Sequence, residues 1–125
     1  MTSEVPEGML ALQTIAMPAD TNSNGDIFGG WLMAQMDLGA SVVARTRSRG
    51  KVATVAVNGM TFHKPVLVGD LVTIYADLVK EGKTSMHVEI EAWVTRQPTA
   101  ERLKVTEAVF VFVAVDENGS KRKLP

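Results

Sequence analysis

The chain has 125 residues, 46 % of them apolar, which is enough for one core and argues for one domain spanning 1–125. With 13 basic against 14 acidic side chains the net charge is −1, so neither nucleic acid nor an anionic membrane is attracted globally. Cysteine is absent, which excludes disulfides, a thiolate nucleophile and any cysteine-ligated metal.

Residues 1–8 carry two glutamates, Pro6 and Gly8 and read as a loose arm. The arm lacks the basic-then-apolar profile of a signal peptide, so a cytoplasmic location is expected. The longest apolar stretches, Ile27–Ala44 and Ala108–Val115, are broken by Asp37 or too short to cross a bilayer. Met9–Met17 reads as a short strand. Pro18 to Gly30 is dense in Asp, Asn, Ser, Thr and Gly, the chemistry of a loop.

From Trp31 to about Arg47 the spacing predicts a helix without proline. Leu32, Met36 and Val43 fall near one face, and Met33, Ala40 and Ala44 near another. A helix apolar almost all round belongs inside an assembly of other elements. Its polar positions Gln35, Asp37 and Ser41 stand out for that reason. Arg45, Arg47, Arg49 and Lys51 mark a wet C-terminal end that suits the helix dipole, with Gly50 as terminator.

Beyond the helix the period changes to two. Val52–His63, Asp70–Lys80, Thr84–Arg96 and Leu103–Asp116 read as strands. In the third, Met86, Val88, Ile90, Ala92 and Val94 face one way, while His87, Glu89, Glu91, Trp93 and Thr95 face a wetter side. One buried and one wetter face imply an antiparallel sheet. A sheet of about five such strands has one obvious way to bury a single apolar helix, which is to curl around it. The expectation is an α+β hot-dog fold, joined to a second copy as at least a dimer.

The segment Asn24-Gly25-Asp26-Ile27-Phe28-Gly29-Gly30 opens the helix. A helix start exposes unpaired N–H groups at the positive end of the dipole, and glycine leaves them accessible to a ligand oxygen. The two glycines, Gly29 and Gly30, therefore make a candidate oxyanion site. Asp37 lies seven residues on, about 20° off the same line and two turns down. It could serve as general base or nucleophile, or pair with an arginine or cap a neighbouring segment. Asp26 is the second carboxylate, with an Asx-turn role as the structural alternative.

Asn24 and Phe28 flank the cradle and are candidates for substrate binding. Met33 and Met36 could line an apolar tunnel. His63 reads as a strand end and His87 as solvated, too few and too separate for a metal site. Gly82-Lys83-Thr84-Ser85 offers one cation and two hydroxyls at a turn, which can hold a phosphate but lacks P-loop glycine spacing. The Arg45–Lys51 cluster is first a solvated helix end and second a polyphosphate contact.

Thr21-Asn22-Ser23-Asn24-Gly25-Asp26-Ile27-Phe28-Gly29-Gly30-Trp31 followed by Gln35-Met36-Asp37 resembles the YciA-type branch of the hot-dog acyl-CoA thioesterases. Val55-Ala56-Val57, Phe62-His63-Lys64-Pro65, Val68-Gly69-Asp70 and Thr106 through Asp116 extend the resemblance over residues 9–125. It implies hydrolysis of acyl-CoA, with coenzyme A as part of the substrate, no cofactor and no metal. It implies Asp37 as the catalytic carboxylate and the Gly30 N–H as the carbonyl polariser. Asp26, where relatives can have Asn, would assist, often across a subunit boundary. Sites shared across a dimer, and hexamers built as trimers of dimers, are also implied. Many related enzymes have His before the glycine pair, where this chain has Phe28, so no role of that His transfers. Lys83, Thr84, Ser85 or the arginine cluster would meet the coenzyme A phosphates. Two rivals remain. A hydratase would need His beside the helix, and His63 is on another element. A non-catalytic acyl-CoA sensor would not need Asp37.

Overall fold

A computed structural model of the chain describes residues 5–125. Five strands and one long helix follow in order: β1 (Met9–Ile15), α1 (Gly29–Ser48), β2 (Val52–Phe62), β3 (Leu71–Glu81), β4 (Ser85–Arg96) and β5 (Glu101–Ala114), with a short 3-10 turn at Pro18–Asp20 before α1. The strands form one antiparallel sheet in the order β1-β3-β4-β5-β2. This is the α+β, helix-in-sheet arrangement expected from the patterning, with β1 and β2 as its edges.

The alternation along β4 places Met86, Val88, Ile90, Ala92 and Val94 in the core. Opposite them on β5, Phe110 and Phe112 are fully buried, as are Val72 and Ile74 on β3. Helix α1 lays Leu32, Met36, Gly39, Ala40 and Ala44 on this floor. Gly39 allows the closest approach, since a Cβ there would lie 2.8 Å from Ile74 Cγ2. The buried stripe is one face only. Met33, Leu38 and Val42 are exposed, so Met33 and Ala40 do not share a face as the spacing suggested. Met36 belongs to the core and lines no tunnel.

The helix begins two residues before the predicted start, with Phe28 as an extended N-cap and both glycines in the first turn. It ends on Arg49, which takes the left-handed conformation (φ 57°) expected of Gly50. Arg122, from the C-terminal segment, donates to the carbonyls of Ser48, Lys51 and Val115, and so closes the helix end. A Cβ on Gly50 would lie 2.8 Å from the Arg122 Nη2 atom, so a side chain there would push the Arg122 guanidinium aside.

On the outer sheet face the wetter row is drier than its composition suggests. Glu91 and Trp93 are buried, with the indole N–H donating to Glu91 Oε1 at 2.9 Å. His87 is half-buried, and its Nδ1 lacks a hydrogen-bond partner among the described residues. The first four residues of the expected arm lie outside the described residues. Val5 and Glu7 flank an outer-face cleft of about 700 Å³, where the carboxylates of Glu7, Glu89 and Glu91 come within 4.8 Å of one another. Among the described residues no helix is long and apolar enough to cross a membrane.

Candidate active site

The loop before α1 is organised by Asn22. Its Oδ1 accepts the N–H groups of Asn24 (2.8 Å) and Asp26 (3.2 Å), and its own N–H donates to the Asp26 carbonyl at 2.7 Å. Gly25 takes φ 84° in this turn, a value that favours glycine. Asn22 thus holds the Asx role that the spacing had offered to Asp26. The side chains of Asn24, Asp26 and Phe28 are exposed beside the helix start.

The two opening glycines of the helix differ in what surrounds them. A Cβ on Gly29 would lie 3.2 Å from the tip of the exposed Phe62 ring, a tight contact that the ring would have to ease. A Cβ on Gly30 would meet only the Phe28 ring at an ordinary 3.4 Å. What is special at Gly30 is its N–H, in a first turn that has no acceptor four residues back within the helix.

Seven residues further, about 10 Å along the axis and about 20° round it, Asp37 faces the same side. Gly30 and Asp37 line one groove of about 280 Å³. The rest of its wall is Met33 and Ala34 from α1, Thr54 and Val57 from β2, and Phe110 from β5. Asp37 is half-buried, and the Thr54 hydroxyl donates to its Oδ1 at 2.7 Å. Among the described residues no other side chain hydrogen-bonds the carboxylate, so Oδ2 remains for a ligand or water. A fixed carboxylate, a helix-start N–H and an apolar channel between them are a set that can polarise a carbonyl and deliver a base or nucleophile to it.

Sequence reasoning missed Thr54, Val57 and Phe110. A bulge between Thr54 and Ala56 is the reason. Thr54 lies opposite Phe112 and Val57 opposite Phe110, so two positions three apart both face the helix.

Gly29, Gly30, Asn24, Asp26 and Phe28 are gathered at the start of α1, with Asp37 two turns in. Lys83, Thr84 and Ser85 are not with them. They sit at the opposite end, in the turn where the Gly82 N–H donates to Ser85 O and Leu124 N–H to Lys83 O. Arg47 is at that end too, in a two-point ion pair with Glu81 (2.7 and 2.8 Å) and donating to Pro125 O. That pair raises the Arg47 pKa and holds Glu81 below its usual value, the hydrogen bond being the main cause in each. Arg45, Arg49 and Lys51 are exposed around it. From Gly30 to this end is about 25 Å along the helix.

A sheet wrapped around one helix, with a carboxylate and a bare helix start on a shared groove, is the layout of a hot-dog enzyme. The comparisons agree. The sequence profile of the thioesterase superfamily matches residues 24–101. The chain is 55% identical over 123 residues to the acyl-CoA thioester hydrolase YciA of Salmonella typhimurium, covering 96% of this chain and 92% of the relative. It is 54% identical over 127 residues to YciA of Escherichia coli K12, covering 99% and 96%. Among solved structures, a hexameric thioesterase from Yersinia pestis superposes with a TM-score of 0.92 at 55% identity, covering 97% of this chain and 98% of that one. A hexameric broad-specificity acyl-coenzyme A thioesterase superposes with a TM-score of 0.94 at 50% identity, covering 98% and 84%. The chain belongs to the thioesterase superfamily, and within it to the YciA-type hot-dog thioesterases.

Proposed function

We propose that this protein hydrolyses acyl-CoA to coenzyme A and a carboxylic acid, over a broad short-to-medium range of chain lengths. The observation that carries this reading is the single groove shared by Gly30 and Asp37. The thioester carbonyl oxygen takes the Gly30 N–H, an interaction worth about 2.7–4 kcal/mol for one well-placed oxyanion donor in other enzymes. Asp37 then either removes a proton from an attacking water or adds to the carbonyl carbon itself. In the second route a mixed anhydride forms as the carbon–sulfur bond breaks, and water then opens it. In both routes the sulfur leaves as the thiolate of coenzyme A and is protonated. The Thr54 hydroxyl fixes Oδ1 and leaves Oδ2 to act. Met33, Ala34, Val57 and Phe110 supply apolar walls for the acyl chain.

Asp26, exposed beside the helix start, assists from across a subunit boundary, with Asn24, Gly29 and Phe28 shaping the entrance. The coenzyme A phosphates reach toward the far end of α1, to Lys83, Thr84 and Ser85 or to Arg45, Arg49 and Lys51. Arg47 is already engaged by Glu81. Apart from the coenzyme A of the substrate, no cofactor and no metal takes part.

The assembly in this reading is a dimer within a hexamer, a trimer of dimers. Support comes from apolar side chains exposed in one copy: Met33, Leu38 and Val42 on α1, and Val55, Val57 and Phe62 on the edge strand β2. The hexameric relatives support it as well. The enzyme works in the cytoplasm, without nucleic acid or membrane as partner.

The test is a panel of acyl-CoA substrates from acetyl to palmitoyl, followed by release of free thiol with a disulfide reagent. The protein has no cysteine and adds no background. Turnover falling off toward the longest chains is the expected result. Coenzyme A binding without turnover would replace this reading with that of an acyl-CoA sensor.

A further inference from the structure

The donor at Gly30 is useful only if it is held still. A shift of about 1 Å in such a group can cost on the order of 100-fold in rate. The segment that leads into it, Ile27–Phe28, has no regular structure and is fixed from outside. Phe28 N–H donates to Asp20 O at 3.2 Å, the Phe62 ring lies against Gly29, and Ile27 N–H donates to Val66 O at 3.2 Å.

The last of these anchors stands on residues 63–70, which contain no helix or strand either. Backbone bonds tie the two ends of this segment, His63 N–H to Val105 O at 2.8 Å, Gly69 N–H to Ala16 O at 2.8 Å and Ala16 N–H to Asp70 O at 3.0 Å, and two side chains brace the middle. Asp70, 2% exposed, accepts the Leu67 N–H at 2.8 Å and grips Arg96 of β4 through two bonds, Nε to Oδ1 at 3.0 Å and Nη2 to Oδ2 at 2.9 Å. The same Nη2 donates to Pro65 O at 3.1 Å. Val66, the residue between the two braced backbone positions, is itself buried and presents its carbonyl to Ile27.

We propose that the Asp70–Arg96 pair is a positioning device for the Gly30 N–H, acting through Val66 O and Ile27 N–H without touching substrate. This rests on the hydrolytic reading of the Gly30–Asp37 groove. The planar guanidinium of Arg96 holds both carboxylate oxygens and a carbonyl at once in one preset geometry. Lysine keeps the charge and loses the fork. In Asp70→Asn the carboxylate becomes an amide with one acceptor oxygen, a second and sterically milder way to loosen the brace should Arg96→Lys fold poorly.

The experiment compares wild type, Arg96→Lys and Asp70→Asn in steady-state kinetics with butyryl-CoA. It adds isotope-edited infrared spectra of a bound butyryl-CoA analogue whose thioester sulfur is replaced by CH₂, with ¹³C at the carbonyl. In wild type the carbonyl band shifts to lower frequency as the N–H polarises it. In the variants kcat falls about 10- to 100-fold while KM stays within about threefold, and the band moves back toward its solution position. A lower melting temperature with wild-type kcat per folded protein and a wild-type carbonyl band would overturn the proposal and leave the pair purely structural. Wild-type protein with no turnover and no band shift would instead overturn the reading of the groove, and the positioning role with it.

Discussion

Thr54 and Asp37 come from different elements, a bulged edge strand and the central helix, and meet at 2.7 Å through one hydroxyl-to-carboxylate hydrogen bond. The bond fixes the carboxylate plane relative to the groove. A hydrogen bond to a charged group is worth about 1.5–3 kcal/mol, so Thr54→Val should lower kcat by roughly 10- to 100-fold. Thr54→Ser keeps the donor and should recover most of the rate. A loss in Thr54→Ser with Thr54→Val close to wild type would show that the methyl group, not the hydroxyl, matters there.

At Gly30 the N–H can be removed with little cost to the fold. Proline is tolerated in the first turn of a helix, where that N–H has no intrahelical acceptor. Gly29, lacking Cβ, relieves part of the clash that proline imposes on the residue before it. Gly30→Pro should therefore melt close to wild type and lose about 100- to 1,000-fold in kcat, the range seen when one oxyanion donor is deleted. Thermal melting and thiol release on the same preparation check both halves.

Gly39→Ala should behave in the opposite way. Its added methyl would lie 2.8 Å from Cγ2 of Ile74, a buried β-branched side chain with little freedom to move. Overpacking of this kind costs about 1–3 kcal/mol, against a gain of about 1 kcal/mol in helix propensity. A net loss on the order of 1 kcal/mol is expected from denaturant titration, with Asp37 and Gly30 left in place. A more stable variant would mean that α1 can lift from β3 freely.

Glu81, beside Arg47, has its carboxyl held below the ordinary glutamate range. With a depressed folded value, its contribution is present above the unfolded value of about 4.3 and is lost as pH falls through the lower folded one. Both groups are solvated, so the effect on stability is small and screened by salt. A carboxyl-detected NMR titration should find Glu81 with a midpoint below that of free glutamate, and Arg47→Gln should return it to the free value.

The residue pattern made the fold legible because the two periods are clean. Met86 through Val94 alternate without a break, and the apolar spacing from Leu32 to Ala44 suits only a helix. The spacing starts the helix two residues late because glycine has poor helix propensity, although Gly29 and Gly30 both lie in its first turn. The spacing places the terminator at Gly50, whereas Arg49 takes the left-handed angle and Arg122 lies against Gly50.

The site was legible where it lies along one element and illegible where it crosses between elements. Gly30 and Asp37 share a helix, so their alignment follows from 3.6 residues per turn. Thr54 reaches Asp37 only because a bulge turns positions 54 and 57 to the same face, and alternation alone assigns them to opposite faces. Burial of Glu91 was unreadable for a similar reason, since it depends on Trp93 folding its indole N–H back onto the carboxylate.

The central claim is that the Asp37 carboxylate carries out thioester hydrolysis beside the Gly30 N–H. The most direct test is release of free thiol from butyryl-CoA by wild type and by Asp37→Asn, purified in parallel and checked for equal folding. A loss of about 100- to 10,000-fold in kcat is predicted, the range a positioned base commonly supplies. Undiminished turnover in Asp37→Asn would contradict the account.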